Sequence, residues 1–292
     1  MSLNVSFSQT MTVTIRILLW TVFWISTGTV FCQTWTQTTA VDTNWSSLVS
    51  SADGSILAAC GGTTNLQAIY ISTNSGNAWG QTTLPMTNST FALALSADGT
   101  RIFAGRNLPN KPEFVNTTNL TPFFYSTNSG QSWIAMGDAT TNLITSVAMS
   151  GDGTVLVAAL ISRSGRTRLV YISTNSGANW STNPVPAFPQ CKAVANGQMV
   201  IAMLSNTLLV TTNAGTAWAT NNLPGSPYSW SSCAASADGS KIALVGHYSY
   251  GGTSFALSTN AGASWNAKTV NASIYASGAI AASADGSKLI LP

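Results

Sequence analysis

Residues 72–79 read Ser-Thr-Asn-Ser-Gly-Asn-Ala-Trp, and this sequence recurs along the chain. The same pattern stands at residues 126–133 and 173–180, with close variants at 211–218 and 258–265. Each copy places a turn glycine three residues before a tryptophan. Repeats with periods of 20 to 50 residues are typical of solenoids and propellers.

A second motif, Ser-Ala-Asp-Gly, alternates with this box. It occurs at residues 51–54, 96–99, 236–239 and 283–286, as Ser-Gly-Asp-Gly at 150–153, and in a degraded form at 195–197. The Asp or Asn positions (53, 98, 152, 196, 238 and 285) are 42 to 54 residues apart by subtraction. One box follows each of the first five Asp-Gly turns, so both motifs belong to one repeating unit.

Short apolar runs lie between the turns, for example residues 56–59, 155–159 and 169–172. Runs of this kind bounded by Gly, Asn and Asp indicate strands joined by tight hairpins. Each unit is therefore predicted as strand, Asp-Gly turn, strand, variable loop, strand, Asn-Ser-Gly turn and strand. Four antiparallel strands every 40 to 50 residues are typical of a β-propeller blade. A solenoid is the alternative fold.

The box resembles the Asp-box of the BNR repeat family, which includes sialidases, sortilin-type receptors, some glucanases and YCF48-like photosystem II assembly factors. That family's box reads Ser-x-Asp-x-Gly-x-x-Trp, and here Asn replaces the Asp. Asn keeps the acceptor oxygen and tolerates the left-handed conformation. The resemblance implies a propeller over residues 33–292 whose tryptophans pack between blades. It assigns structural roles to Asn74, Gly76, Trp79, Asn128, Gly130, Trp133, Asn175, Gly177, Trp180, Asn213, Gly215, Trp218, Asn260, Gly262 and Trp265.

Six Asp-Gly turns predict about six blades of four antiparallel strands. The last unit carries no box after its turn, which favours a truncated seven-bladed ring. Residues 35–39, Trp-Thr-Gln-Thr-Thr, repeat residues 79–83, Trp-Gly-Gln-Thr-Thr. Residues 35–39 are therefore expected to form the last strand of a blade.

The composition excludes several classes of protein. Hydrophobic residues make up 45% of the chain and charged residues 7%, whereas disordered chains combine low hydrophobicity with high charge. The net charge of +3 comes from scattered residues without a basic run, so nucleic-acid binding is not expected.

Residues 1–32 are predicted to be a signal peptide. Their apolar stretch, residues 17–25, is shorter than the roughly 20 residues that a membrane-spanning helix needs, and small residues follow it. The protein is therefore expected to be secreted, with the periplasm and the cell surface as alternatives. Membrane attachment requires that this segment stays uncleaved.

Catalytic groups are scarce. Glycosidases need two facing carboxylates, and five aspartates stand in the repeated turns, which leaves Asp42, Glu113 and Asp138. The only histidine is His247, and no metal site or cofactor is predicted. A BNR-type glycoside hydrolase, sialidase-like or glucanase-like, and a photosystem-assembly-factor-like propeller are kept as alternatives to a non-catalytic module.

Both kinds of turn are expected on one face of the propeller, so the variable loops gather on the opposite face. Aromatic and basic side chains there could bind a glycan or a protein by stacking and charged hydrogen bonds. The predicted binding residues are Trp45, Arg106, Arg163, Arg166, Arg168, Tyr228, Trp230, His247, Tyr248 and Tyr250. The chain is thus predicted to be a non-catalytic binding or scaffold module.

Two cysteines, Cys191 and Cys233, each stand five residues before the turn Asn or Asp. Leu48 and Ile280 hold the same place in other units, so both thiols are predicted to be buried on first strands. A disulfide between neighbouring first strands is the alternative.

Overall fold

The structure is a computed structural model that describes residues 37–63, 66–84, 90–107, 123–136, 143–161, 168–184, 190–193, 199–203, 207–213, 217–224, 229–247, 253–270 and 280–290. The chain divides into two units, residues 1–37 and 38–292, and all described residues except Gln37 belong to the second. The predicted signal peptide lies outside the described residues.

The described residues of the second unit form twenty-two strands, and four consecutive strands make each of five sheets. The first three sheets contain β1 (Asn44–Ser50), β2 (Leu57–Thr63), β3 (Leu66–Ser72), β4 (Gly80–Gln81); β5 (Thr90–Leu95), β6 (Ile102–Asn107), β7 (Phe123–Ser126), β8 (Ile134–Met136); β9 (Leu143–Met149), β10 (Leu156–Ile161), β11 (Arg168–Ser173) and β12 (Ser181–Pro184). The remaining strands are β13 (Gln190–Ala193), β14 (Val200–Met203), β15 (Thr207–Thr211), β16 (Ala219–Asn222); β17 (Ser229–Ala235), β18 (Ile242–His247), β19 (Thr253–Ser258), β20 (Asn266–Val270); β21 (Ala281–Ala282) and β22 (Leu289–Ile290).

The protein is an all-β propeller. Every neighbouring pair of strands within a sheet is antiparallel, and each complete sheet runs in chain order from its first to its fourth strand. The first strands contact one another in succession, from β1 through β5, β9, β13 and β17 to β21, so they surround the axis. The expectation of about six blades corresponds, within the part of the chain that the structure describes, to five complete blades and a sixth represented by β21 and β22. Among the described residues, no helix has the length and apolar character to cross a membrane.

The Asp-Gly turn is held by its own side chains. In the first blade, Ser51 Oγ donates to Asp53 Oδ1 at 2.6 Å and accepts the Ile56 N–H at 3.0 Å. The same carboxylate oxygen accepts the Ser55 N–H at 3.0 Å. Gly54 follows with φ +75°, a left-handed conformation that glycine adopts without steric penalty. The motif therefore encodes its turn locally.

The box turn uses a similar network with Asn as the acceptor. In the second blade, Ser126 Oγ accepts the Gly130 N–H at 2.9 Å, and Asn128 Oδ1 accepts the Ser132 N–H at 2.9 Å. The left-handed residues are Ser129 (φ 51°) and Gly130 (φ 80°) rather than the Asn. The predicted use of the left-handed tolerance of Asn is therefore wrong. Asn128 instead contributes its side-chain amide, because Oδ1 accepts the Ser132 N–H and Nδ2 donates to Ser132 Oγ at 2.9 Å.

The two kinds of turn lie on one face, as predicted. In the second blade, the Ser129 N–H donates to the Thr100 oxygen of the Asp-Gly turn at 2.8 Å, and the first, third and fifth blades repeat this bond. Neighbouring Asp-Gly turns are also joined around the axis, because the Ala97 N–H donates to the Gly151 oxygen at 2.7 Å. Equivalent bonds join Ala52 to Ala97 and Ala237 to Ala284.

The core lies between the blades, where the box tryptophans pack. Trp180 of the third blade stacks on Phe123 of the second, with centroids 5.0 Å apart and planes inclined by 19°. Trp133, Trp218 and Trp265 pack against the buried clusters of their own interfaces. These partly buried rings are the predicted anchors between blades, and burial of such a side chain contributes roughly 1.5–3 kcal/mol.

Candidate functional site

The variable loops connect strand ends on the face opposite the turns, which we call the loop face. Trp45 and Trp230 stand near the starts of β1 and β17, and Arg168 begins β11. Arg106 and His247 stand at the ends of β6 and β18. The topology thus places these predicted binding residues at strand ends on one face, although it does not gather them into one pocket.

The loop face holds a cavity of about 330 Å³ between the first strands of the first three blades. We call it the loop-side mouth of the axial channel. Residues 46–49, 91–93 and 144–147 line it, and four of them carry hydroxyl groups, Ser46, Ser47, Thr145 and Ser146. A second cavity of about 570 Å³, lined mostly by Ser, Ala and Gly of the Asp-Gly turns, opens at the other end.

Irregular pairing positions these hydroxyls. The ladder between β1 and β2 shifts register between Trp45 and Ser47, which sets Ser46 in a bulge, and its hydroxyl donates to the Cys60 oxygen at 3.2 Å. Thr145 donates to the Ala159 oxygen at 3.2 Å beside the bulge of the third blade. Each hydroxyl that donates in this way keeps lone pairs that can accept a bond from a ligand. Bulges recur next to binding sites because they redirect side chains.

Trp45 forms an aromatic cluster over one side of the first sheet. Its ring lies against Gly61, where a Cβ would come within 2.6 Å of Trp45 Cε3. It contacts Tyr70 edge-on at 5.4 Å and Trp79 at 6.1 Å between centroids, yet it stays partly exposed. Because these contacts already fix the orientation of the ring, its exposed side can contact a ligand with little loss of side-chain conformational entropy.

Arg106 is buried, with 9% of its surface exposed. Its guanidinium lies 5.0 Å from the centroid of the Phe124 ring, and its Nε has no hydrogen-bond partner among the described residues. Burial lowers the pKa of Arg106 because the charged form loses hydration. The cation–π contact stabilises the positive charge of the buried guanidinium. Arg106 therefore lies beneath the surface rather than on it.

The structure contradicts the prediction that Trp230 is an exposed binding residue. Only 6% of its surface is exposed, and it packs in the core cluster with Met203, Leu208 and Leu244. Its strand position directs the ring between the fourth and fifth blades, so Trp230 stabilises that interface and cannot stack on a ligand. Arg168 is half-buried at the start of β11.

Several predicted residues lie outside the described part of the chain. They are Arg163, Arg166, Tyr228, Tyr248 and Tyr250, together with the acidic candidates Glu113 and Asp138 and the box glycine Gly215. Only the backbone of His247 and of Cys191 is described. Cys233 is buried with 1% exposure on a first strand, as predicted.

The five turn aspartates have pKa values below the usual range. Hydrogen bonds from Ser51 and Ser55 lower the pKa of Asp53 to about 2, and the Ser236 and Ser240 bonds do the same for Asp238. Serine and threonine donors also lower the pKa of Asp98, Asp152 and Asp285. A general acid in a glycosidase needs a raised pKa, so the turns hold these carboxylates in the wrong state for that role. No cluster of three or more His, Cys, Asp or Glu that could hold a metal occurs among the described residues.

The loop-side mouth was not foreseen from the sequence. Ser46, Thr145 and Ser231 each stand seven residues before the turn aspartate of their unit, and this alignment is the signal that could have identified the bulge hydroxyls. Ser231 makes the equivalent bond, to the Val245 oxygen at 3.1 Å.

Solved structures share the fold. The xyloglucanase of glycoside hydrolase family 74 from Xanthomonas campestris is similar with a TM-score of 0.61 and 15% identity, over 84% of this chain and 43% of that chain. An oligogalacturonate lyase solved with manganese is similar with a TM-score of 0.59 and 13% identity, over 82% of this chain and 67% of that chain. A chain of a nidogen/laminin complex is similar with a TM-score of 0.54 and 10% identity, over 79% of this chain and 81% of that chain. At such identities the likeness establishes the propeller fold alone.

This chain spans 43% and 31% of the lengths of two enzymes of glycoside hydrolase family 74 that it resembles. No protein-family model matches the chain. No curated protein matches it either.

Proposed function

We propose that this protein is a secreted, non-catalytic binding module that takes a glycan at the loop-side mouth of its axial channel. The observation that carries the proposal is the hydroxyl-lined cavity of about 330 Å³, bounded by three first strands at the end of the propeller opposite the turns. Ligand sites are concave and largely preformed, and this cavity is at the small end of their usual range of roughly 300–1,000 Å³.

The lining suits a ligand that is rich in hydroxyl groups. Ser46 and Thr145 use their protons on strand carbonyls and so offer acceptor lone pairs, which sugar hydroxyls can satisfy. Ser47 Oγ accepts the Leu93 N–H at 3.3 Å, which leaves its own proton to be donated. Acceptors and donors therefore occur together in a small space, as a sugar requires.

The acid–base chemistry of the described residues supports binding rather than hydrolysis. The turn carboxylates lie on the face opposite the loop-side mouth and stay ionised at neutral pH because serine and threonine hydroxyls stabilise the charge. A glycosidase would need a second set of carboxylates near the cavity.

A glycan array followed by calorimetry on the strongest binder tests the proposal. Thr145→Trp fills the cavity, whereas Thr220→Trp adds the same bulk on the exposed fourth strand of the fourth blade. We expect Thr145→Trp to weaken binding by about tenfold or more, roughly 1.4 kcal/mol, and Thr220→Trp to leave it unchanged. Equal affinity in both variants, or an array without any binder, would overturn the assignment of the mouth.

Hydrolysis is measured on the same glycans. Chromatography of the incubated binder should show no shortened product. A product that the wild-type protein generates would refute the non-catalytic half of the proposal and favour a glycoside hydrolase.

Export is tested separately. We expect the mature protein recovered outside the producing cells to begin near Gln33, as mass spectrometry of its N-terminal peptide would report. A protein that retains residues 1–32 and sediments with membranes would contradict secretion.

A further inference from the structure

Arg106 is an exception to the pattern of the second strands. It stands eight residues after the turn aspartate of its unit, where the first, third and fifth blades carry Gly61, Leu160 and Gly246. Leu160 is fully buried, and the glycines have no side chain. An apolar residue or a glycine is therefore enough at this place in β6, and the charge of Arg106 is not needed to form a blade.

The side chain of Arg106 lies in the interface between the first and second blades. Ile102 and Ala104 share its side of β6, because alternate residues of a strand point the same way, and both pack in the cluster that these two blades form. Its guanidinium lies over the Phe124 ring of that cluster, and its strand partner Phe91 is 3% exposed. The charge therefore lies against apolar groups.

The buried charge has no counter-charge in the described part of the chain. Nε of Arg106 has no hydrogen-bond partner among the described residues, and the five turn aspartates lie on the opposite face. Loss of hydration lowers the pKa of Arg106, whereas a carboxylate close by would raise it. Arginine nevertheless stays protonated at neutral pH. Because an unpaired buried charge is costly, proteins normally pair it with an anion.

We propose that Arg106 is the anchor of a carboxylate-binding site at the loop-side end of the interface between the first and second blades. The guanidinium fork matches a carboxylate, which can accept two parallel N–H bonds. One carboxylate balances one guanidinium, whereas a doubly charged phosphate would leave excess negative charge against apolar groups. The 9% of Arg106 that stays exposed gives the ligand access. Arg106 stands on a second strand, whereas first strands line the loop-side mouth, so this site does not depend on the proposed glycan binding.

Titration of the full-length protein at constant ionic strength, followed by NMR, tests the proposal. The probe is sodium acetate, and acetamide is its neutral control. The signal is the Nε–H resonance of Arg106, assigned by its loss in Arg106→Met. We expect acetate to shift this resonance saturably, acetamide to leave it unchanged, and inorganic phosphate to bind at least about tenfold more weakly than acetate. A resonance that does not move, that moves equally with acetamide, or that responds more strongly to phosphate would overturn the proposal.

Variants separate a ligand site from a structural role. Arg106→Met removes the charge and keeps an unbranched side chain, so its melting temperature without acetate should be at least that of wild type. Its affinity for acetate, followed at the Phe124 amide, should fall by at least about tenfold. Arg101→Met removes a guanidinium that bonds the Asp152 oxygen on the turn face, and it should leave that affinity unchanged. A lower melting temperature in Arg106→Met that Glu113→Gln reproduces would show that the chain supplies its own carboxylate, and would overturn the proposal.

Discussion

The Thr39 hydroxyl donates a hydrogen bond of 2.7 Å to the main-chain oxygen of Asn77, in the box turn of the first blade. Thr83 makes the same bond to Gln131 in the second blade, at 3.4 Å. The preceding threonines are equivalent as well, because Thr38 lies beside Gly76 as Thr82 lies beside Gly130. Residues 38–39 therefore occupy, beside the first blade, the place that residues 82–83, just after β4, occupy beside the second. The strand predicted over residues 35–39 stays a prediction, since no strand is assigned to residues 37–39 and the rest lies outside the described residues.

Replacement of the box glycine by alanine should destabilise the protein more than replacement of the turn glycine. Gly130 and Gly54 both have left-handed backbones, with φ of 80° and 75°, so each alanine variant pays a similar conformational penalty. Only at Gly130 would the Cβ overlap a neighbour, Ile71, whereas nothing lies within 4 Å at Gly54. We expect Gly130→Ala to lower the free energy of unfolding in urea by about 1–3 kcal/mol more than Gly54→Ala. Equal losses would contradict the contact between blades.

The Asn of the box should be replaceable by Asp but not by Ala. Asn74 Oδ1 accepts bonds from Ser72 Oγ at 2.9 Å and from the Ala78 N–H at 2.8 Å. Asn74→Asp keeps both acceptor sites, whereas Asn74→Ala removes them and should cost about 1–2 kcal/mol of unfolding free energy. Chemical unfolding of both variants beside wild type is the measurement, and an Asp variant as weak as the Ala variant would refute this role.

The depressed pKa values of the turn aspartates predict loss of stability in acid. A carboxyl with a folded pKa of about 2 and an ordinary unfolded value of 3.8 stabilises the fold fully above pH 3.8. That contribution disappears as the pH falls through about 2. The melting temperature of wild type should therefore drop between pH 5 and pH 2, and the drop should be smaller in the Asp53→Asn, Asp238→Asn double variant. An equal fall of the melting temperature with pH in both proteins would contradict the assigned pKa shifts.

The box tryptophans should contribute to stability through the packing between blades. Trp180 stacks on Phe123 and also contacts Phe103, with centroids 5.9 Å apart. Trp180→Ala should cost about 3 kcal/mol, near the lower end for aromatic truncation, because the ring is only partly buried. Ile134→Ala, which shortens an exposed side chain, should stay within about 0.5 kcal/mol of wild type. A Trp180 variant as stable as the Ile134 variant would place the ring outside the core.

The repeat was sufficient to predict the blades because each turn is encoded by its own residues. Ser51, Asp53 and Gly54 close their hairpin without help from distant groups, so the local sequence carries the signal. The site was harder to predict. Arg106 and Trp230 look like surface binding groups in a list of loop residues, yet both are buried where two blades meet. Burial between blades depends on tertiary packing, which no local pattern reports.

The loop-side mouth escaped prediction for a related reason. Its serine and threonine residues are common in a chain whose polar surface consists largely of such residues, and no unusual residue type marks them. Their position at the mouth depends on the bulge at Ser46 and on three first strands that approach one another at the axis. A β-bulge of this kind is recognised only once the residue-by-residue pairing of neighbouring strands is known.

Amide hydrogen exchange at the Asp-Gly turns tests the ring of blades most directly. The N–H groups of Ala97 and Ala237 lie in surface turns, and each donates at 2.7 Å to the turn of the next blade. We expect both amides to exchange as slowly as those of the buried strands β6 and β18, because exchange requires separation of two blades. Exchange as fast as that of an unbonded surface turn would contradict the packing of these blades around one axis.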